Sequence, residues 1–436
     1  MKRAKYQLLD DFNKSEITIL WSVPVLFFIF FVFRILSHKY FLADSNEYLE
    51  IAKKINQFSI FSSDIDPEKL TKRPFCYPLF LALSFNLNII FTLIVQSLIG
   101  ILNVYLLFRI LKKYHVEIKK SFIYFLILTP SIFIYSQLIM AEWLVMLLLH
   151  VLFWILIQPF SKNNFAYIQT ITILLAFTKP IFYPFIYVNL IFFSVFLFKK
   201  KVFSIWLFFP IIILQLYVHF NESRTGYKHF SSIENTNLIN YNLYYFKSAT
   251  LSSQEADIWL RSVYNADFEH KNFAQKNIYL KAIATKEIKT TFFQYTKYHL
   301  FTAIRGIFDP GRFDLMTFVD QEDGKQGFLE ILNGRKSIFD LFQSKFIWVY
   351  ILLIPIFLLN LIKWFYFSKY LIYNKLNVLV YYFLVLGLYY ILVSGPVNSS
   401  RYMMPFQGII ICFAIIEISR LKENNEDKIV SKRCNK

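Results

Sequence analysis

Apolar runs long enough to cross a bilayer recur along almost the whole chain, and this constrains the fold more than any other feature. A helix needs ~20 apolar residues to span the hydrocarbon core. Stretches of about that length begin near residue 17 and recur to residue 419. With 56% hydrophobic residues, 20% aromatic residues and a mean hydropathy of +0.44, the 436-residue chain reads as an all-α polytopic membrane protein. Short alternating strands, the mark of a membrane barrel, are not evident. The first run, Glu16 to Leu36, is of span length and no small-residue cleavage site follows it, so it reads as a span and not as a removed signal peptide.

About ten spans are expected, near 17–37, 88–110, 121–140, 142–158, two short segments within 168–198, then 202–220, 345–365, 377–395 and 403–419. The stretch 168–198 is too long for one helix and is interrupted by Lys179-Pro180 and Pro184. Three regions follow: 1–220, transmembrane with a first external loop; 221–343, a small extracytoplasmic domain without a spanning run; and 344–436, the last spans and a charged tail. The formal charge is +18, but the basic residues fall in short clusters between spans: Lys2, Arg3, Lys5 and Lys14, then Arg109 to Lys120, Lys199 to Lys201, and Lys363 to Lys375. That is the pattern of cytoplasmic loops, and it argues against a nucleic-acid partner. It also puts both termini inside.

Against that pattern, three cations fall at the outer ends of spans: Arg73, Lys179 and Arg401. Asp44, just beyond the first span, and Glu142, between two later ones, share that face. Asp44 opens an amphipathic stretch to Phe58, with Tyr48, Leu49, Ile51, Ala52 and Ile55 at helical spacing. Its carboxylate can serve as a general base at the water–lipid boundary, or it is a helix cap. Arg73 precedes a proline-braced turn, Pro74 and Pro78, and either pairs with a phosphate or snorkels to the interface. Glu142 at such a depth needs a partner, whether structural or substrate. Lys179 sits at a broken helix, where irregular backbone lines cavities. Jointly, an acid and cations from distant segments on one face point to a phosphate-bearing substrate. The histidines show no metal-ligand spacing, the three cysteines form no disulfide framework, and no glycine-rich phosphate loop is present.

The order ADSNEYLEIA, RPFCYPLFLAL, QLIMAEWLVMLLL, LLAFTKP and SSRYMMPF resembles the GT-C membrane glycosyltransferases, in the bacterial branch related to protein O-mannosyltransferases and lipid A aminoarabinose transferases. The resemblance covers roughly the first 200 residues and the last 40. It implies a GT-C-like helical bundle in the cytoplasmic membrane, with a polyprenyl-phosphate sugar donor and a lipid, glycan or protein acceptor on the extracytoplasmic side. It places the catalytic acid on Asp44 and substrate contacts on Arg73, Tyr77, Glu142, Lys179, Arg401 and Tyr402. Two departures stand out: Cys76 replaces a small residue in the RPPGYP-like turn, and there is no Asp-x-Asp. No cofactor and no obligatory metal ion are therefore expected. Two other classes share some of these features: a polysaccharide polymerase using polyprenyl-linked sugar, and a lipid or solute transporter. The absence of an inverted repeat and of a charge near the bilayer midplane weighs against the transporter.

Overall fold

The computed structural model describes residues 13–434 apart from 43, 59–65, 86–87, 320–346 and 398. The basic residues Lys2, Arg3 and Lys5 and the stretch 320–343 of the expected external domain lie outside the described residues. Among the described residues every regular element is helical, and the protein is an all-α polytopic membrane protein. The span count among the described residues falls below the expected count of about ten. Among the described residues seven helices are long and apolar enough to cross a membrane: Lys14–Ser37, Ile89–Lys113, Pro180–Lys200, Ile205–Thr225, Ile347–Tyr373, Val378–Val397 and Ser400–Lys422.

Helix α1 (Lys14–Ser37) begins at a capping box, in which the Asn13 side chain accepts from the Glu16 amide and Glu16 accepts from the Asn13 amide. It ends at Ser37, with His38 in the left-handed region. Amphipathic α2 (Ser45–Asn56) and α3 (Cys76–Ser84) follow, then α4 (Ile89–Lys113), capped by Asn88. Gly100 of α4 admits the Phe27 ring of α1: a Cβ there would stand 2.3 Å from Phe27 Cε1.

The expected span 121–140 is instead broken. Its helix ends at Ile127, a single turn covers Ser131–Ile134, and a tighter turn covers Tyr135–Gln137. Pro130 lacks the amide that would continue the ladder and disfavours helical backbone at Thr129. Every residue from Thr129 to Trp143 is buried in protein, the condition under which irregular backbone is tolerated inside a membrane protein. The expected span 142–158 becomes the shorter apolar helix α5 (Glu142–Leu156). Helix α6 (Lys162–Thr178) stops one residue before Lys179, which is extended and followed by the Pro180–Phe182 turn. Helices α7 (Phe185–Lys200) and α8 (Phe209–Thr225) complete this half.

The region expected as one external domain divides between two cores. Ile239, Leu243, Phe246, Val263, Phe268, Leu280, Ala284 and Tyr295 form a small core of their own, between α9 (Phe273–Thr290), α10 (Phe292–Ile307) and shorter helices. Helix α11 (Arg312–Val319) instead joins the main core through Leu315, Met316 and Phe318. Then come α12 (Ile347–Tyr373), α13 (Val378–Ser394) and α14 (Ser400–Cys434). Helices α12 and α14 run parallel: Lys363 meets Gln407, the Tyr370 ring lies 4.8 Å from Phe413, and Asn374 meets Glu417. Lys363, expected in a cytoplasmic loop, is fully buried within α12. Its ammonium donates to Thr129 Oγ1 at 3.0 Å and Gln407 Oε1 at 2.7 Å.

Candidate functional site

The five charged residues singled out from the sequence meet at one end of the bundle. Asp44 stands at the N-terminus of α2. The neighbouring serine fixes this corner: Ser45 Oγ accepts from the Leu42 amide and donates to the Ile139 carbonyl, each at 2.8 Å. Asp44 makes no capping bond, so the cap reading does not describe it. Its carboxylate instead takes Arg73 Nη2 at 3.0 Å on Oδ1 and Arg401 Nη2 on Oδ2. Arg73 stands between the short helix Pro67–Thr71 and Pro74, and Arg401 opens the last helix, 357 residues from Asp44.

Both arginines hold a second acid through Nε. Arg73 Nε donates to Glu47 Oε2 at 2.7 Å, and Arg401 Nε donates to Glu142 Oε1 at 2.6 Å. Lys179, at the helix break and buried, also donates from Nζ to Glu142 Oε1 at 3.1 Å. Lys72 Nζ pairs with Glu47 Oε1 at 2.7 Å. Four cations thus face three carboxylates in one continuous network. Glu142 is fully buried, while the Asp44 side chain keeps 22% of its surface exposed. Burial by itself pushes the Asp44 carboxyl up. The charges of Arg401, Arg73 and Lys179 outweigh it and hold the group well below the usual carboxylate range.

Aromatic rings wall the site. Lys179 Nζ lies 4.7 Å and the Arg401 guanidinium 5.9 Å from the Tyr402 ring centre, and Arg73 lies 5.2 Å from that of Tyr48. Tyr402 is therefore part of the arrangement. Tyr77 is not in direct contact with the charges: its hydroxyl donates to Gln96 Oε1 at 3.0 Å, and its ring backs Tyr48 edge-on at 4.9 Å. Gln96 in turn donates to the carbonyls of Ser136 and Leu138, so Tyr77 serves the buried break at 135–138.

Three buried polar atoms in this neighbourhood have no protein hydrogen-bond partner among the described residues: Glu142 Oε2, the Tyr48 hydroxyl and the Tyr390 hydroxyl. The Tyr390 ring lies 6.4 Å from Tyr402. Beyond it, Tyr135 donates to Asp314 Oδ1 at 2.6 Å.

Sequence reasoning does not assign Glu47, Lys72, Tyr48 or Asp314 to the site. The first two carry a signal: Glu47 is one helical turn from Asp44, and Lys72 adjoins Arg73. Among the described residues, no group of three or more His, Cys, Asp and Glu side chains gathers as a metal-ligand set. Chemically, the site offers two guanidinium forks and an ammonium for an oxyanion, around a semi-exposed carboxylate.

No family model, no curated protein and no solved structure matches this chain.

Proposed function

We propose that this chain is an integral membrane glycosyltransferase. It moves a sugar from a polyprenyl-phosphate donor to an acceptor hydroxyl or amine at the extracytoplasmic face of the cytoplasmic membrane. The observation that carries this reading is the double grip of Arg73 and Arg401 on Asp44, at the ends of apolar helices where a lipid-borne phosphate would lie. Asp44 takes the acceptor proton. The acceptor atom bonds to the anomeric carbon as the bond from that carbon to the phosphate oxygen breaks, with inversion. The electron pair leaves with polyprenyl phosphate. Charge grows on the departing phosphate, and arginine forks suit it because each can hold two oxygens. The GT-C resemblance points to the same residues.

The network also sets an order of events. Each arginine keeps its Nε on a second carboxylate and shows Asp44 an Nη nitrogen. An entering phosphate therefore competes with Asp44 for those Nη nitrogens, without breaking the pairs to Glu47 and Glu142. Once it wins them, Asp44 loses the contacts that depress its basicity and stands free beside the bound donor. The donor binds first, and its phosphate releases the base.

The transporter reading gains one observation. Lys363 is a fully buried cation inside α12, with neutral partners, and intramembrane cations of this kind mark transport pathways. The test separates the two. Purified full-length protein in lipid nanodiscs is incubated with radiolabelled polyprenyl-phosphate sugars. Release or transfer of the sugar, abolished by Asp44→Asn, is expected. No turnover of any such donor, with protein-dependent flux of labelled lipid across proteoliposomes, would replace the enzyme by the transporter.

A further inference from the structure

Helix α10 is apolar on two opposite sides, and among the described residues protein covers only one of them. Tyr295, Thr302, Ala303 and Gly306 are buried. On the other side Phe293, Leu300, Phe301 and Ile304 are 85%, 44%, 64% and 55% exposed. These four lie within one stripe at helical spacing, with Lys297 among them.

The partners of this segment fix its depth. Near the middle of α10, His299 Nε2 bonds the Leu392 carbonyl at 2.7 Å, close to the end of α13. Eight residues on, the Ile307 carbonyl accepts from Trp364 Nε1 at 3.2 Å, and the Asp309 carbonyl from Asn360 Nδ2 at 3.4 Å. Both donors belong to α12, four residues apart and so on one face. Trp364 is about 26 Å along the helix from Ile347 and about 14 Å from Tyr373, at ~1.5 Å per residue. Lys363 meets Gln407 of the parallel α14, so this level lies inside the span about 9 Å below Arg401, at ~1.5 Å per residue. The chain then turns through Asp309-Pro310-Gly311, with Gly311 at φ +88°, a conformation that disfavours a side chain. It returns as α11, whose Phe318 carbonyl takes Arg34 Nη2 at 2.5 Å near the far end of α1. Phe318 also stacks on Phe33 at 5.1 Å.

We propose that residues 292–319 are a re-entrant helical pair. Helix α10 descends into the bilayer from the end that carries the charged site, turns at 308–311 beside α12, and α11 climbs back. The acyl chains of the bilayer cover Phe293, Leu300, Phe301 and Ile304. Continuity argues for this occupant: α10 lies along α13, whose own Tyr381, Val385 and Leu388 face outward. The turn meets the condition for non-helical backbone at such depth, because its polar groups are satisfied by protein. Besides Trp364 and Asn360, the Ser400 amide donates to Asp309 Oδ2 and the Gly311 amide to Oδ1, each at 3.0 Å. The Asn360 amide and the Trp364 indole, two of the polar groups within α12, are thereby given a purpose. The ammonium of Lys297 reaches along its stem toward the headgroups.

The test places a nitroxide at Phe293, Phe301 or Ile304 through single Cys substitutions in full-length protein, with the native cysteines replaced, in phosphatidylcholine–phosphatidylglycerol nanodiscs. Collision with oxygen is compared with collision with a water-soluble nickel chelate. The labels at 301 and 304 should favour oxygen as strongly as one at Leu361, on the exposed side of α12, and the label at 293 should sit shallower. A label at 304 that behaves like one at Ile258, an exposed residue of the small helical unit, would overturn the proposal. So would equal depth at 293, 301 and 304, which would lay α10 flat on the surface. Acyl-brominated lipid should also quench the fluorescence of Ile304→Trp, which measures depth without the label, and absence of that quenching would likewise overturn the insertion.

Discussion

Asp44→Asn should bind a prenyl phosphate more tightly while losing turnover. The substitution keeps the side-chain shape and one accepting oxygen. It removes the carboxylate that competes for the Nη nitrogens of Arg73 and Arg401. The four cations and three carboxylates of the network carry a formal +1; the variant carries +2. At ~5 Å and an effective dielectric near 20, each charge pair is worth ~3 kcal/mol. Asp44 is partly exposed, and screening takes a large share of that. At least ~1.4 kcal/mol should survive, a tenfold gain in affinity. Turnover should fall by ~10²–10⁴ through loss of the base. The fold should hold, because Arg73 keeps Glu47 and Arg401 keeps Glu142. The assay is titration of detergent-solubilised protein with farnesyl phosphate, beside sugar transfer and thermal melting. Weaker binding by Asp44→Asn would refute the competition while leaving the base assignment standing; normal turnover would refute the base itself. The same ion pairs predict a pH dependence. A carboxyl held below its unfolded value contributes stability that is present above the unfolded pKa, ~3.9, and is lost as pH falls toward the folded value. The melting difference between wild type and Asp44→Asn should therefore shrink below about pH 4.

Arg401→Lys keeps the charge but cannot hold Glu142 and Asp44 at once; it should lose ~1.5–3 kcal/mol of stability and 10²–10³-fold in turnover, and wild-type melting and activity would reduce Arg401 to an interfacial anchor. Gly100→Ala pushes a methyl into the Phe27 ring, itself edge-on to Phe133 at 4.9 Å, and should lower the melting temperature by the equivalent of ~1–2 kcal/mol; equal or higher melting would show that the ring yields freely. Lys363→Met removes a buried ammonium whose partners, Thr129 and Gln407, are neutral, and should raise the melting temperature; a fall would mean that those two hydrogen bonds outweigh the desolvation of the charge.

What the sequence makes legible here is anomaly. Arg73, Lys179 and Arg401 stand out because each is a cation on the wrong side of the charge pattern, and Asp44 and Glu142 because a carboxylate at such a position needs a partner. Distance along the chain hides nothing when each member is conspicuous alone. Hydropathy misleads where protein, and not lipid, covers the apolar surface. The run 121–140 is as apolar as a span, yet it breaks at Thr129-Pro130 and is buried in protein from Thr129 on; the proline is the one sign. The reverse error attends α10. Gln294, Lys297 and Arg305 lower its hydropathy enough to resemble a soluble helix, although its bonding partners lie along α12 and α13. Lys363 falls to the same rule: a lysine seven residues from Tyr370 and six from Lys369 looks like the start of a basic loop until Thr129 and Gln407 arrive beside it.

Pairing inside the site is out of reach of the sequence for a further reason. Identity gives the charge of a side chain but not which atoms are already engaged, and the chemistry turns on the latter. Counted as free cations, Arg73 and Arg401 would simply attract a phosphate, and Asp44 would be a base from the start. With each Nε committed to a second acid, the arginines are held in plane by Glu47 and Glu142 and present only their Nη nitrogens to Asp44. Asp44 is then the carboxylate that can be exchanged, and it keeps surface open to solvent and substrate where Glu142 keeps none. In the proposed reaction, a network with this division between holding and exchangeable contacts would link anion binding to release of the base through the same two guanidinium groups. Removal of Glu47 or Glu142 raises the net charge as much but also frees the forks to turn, so donor binding should gain less than on removal of Asp44, a difference that charge alone would not produce.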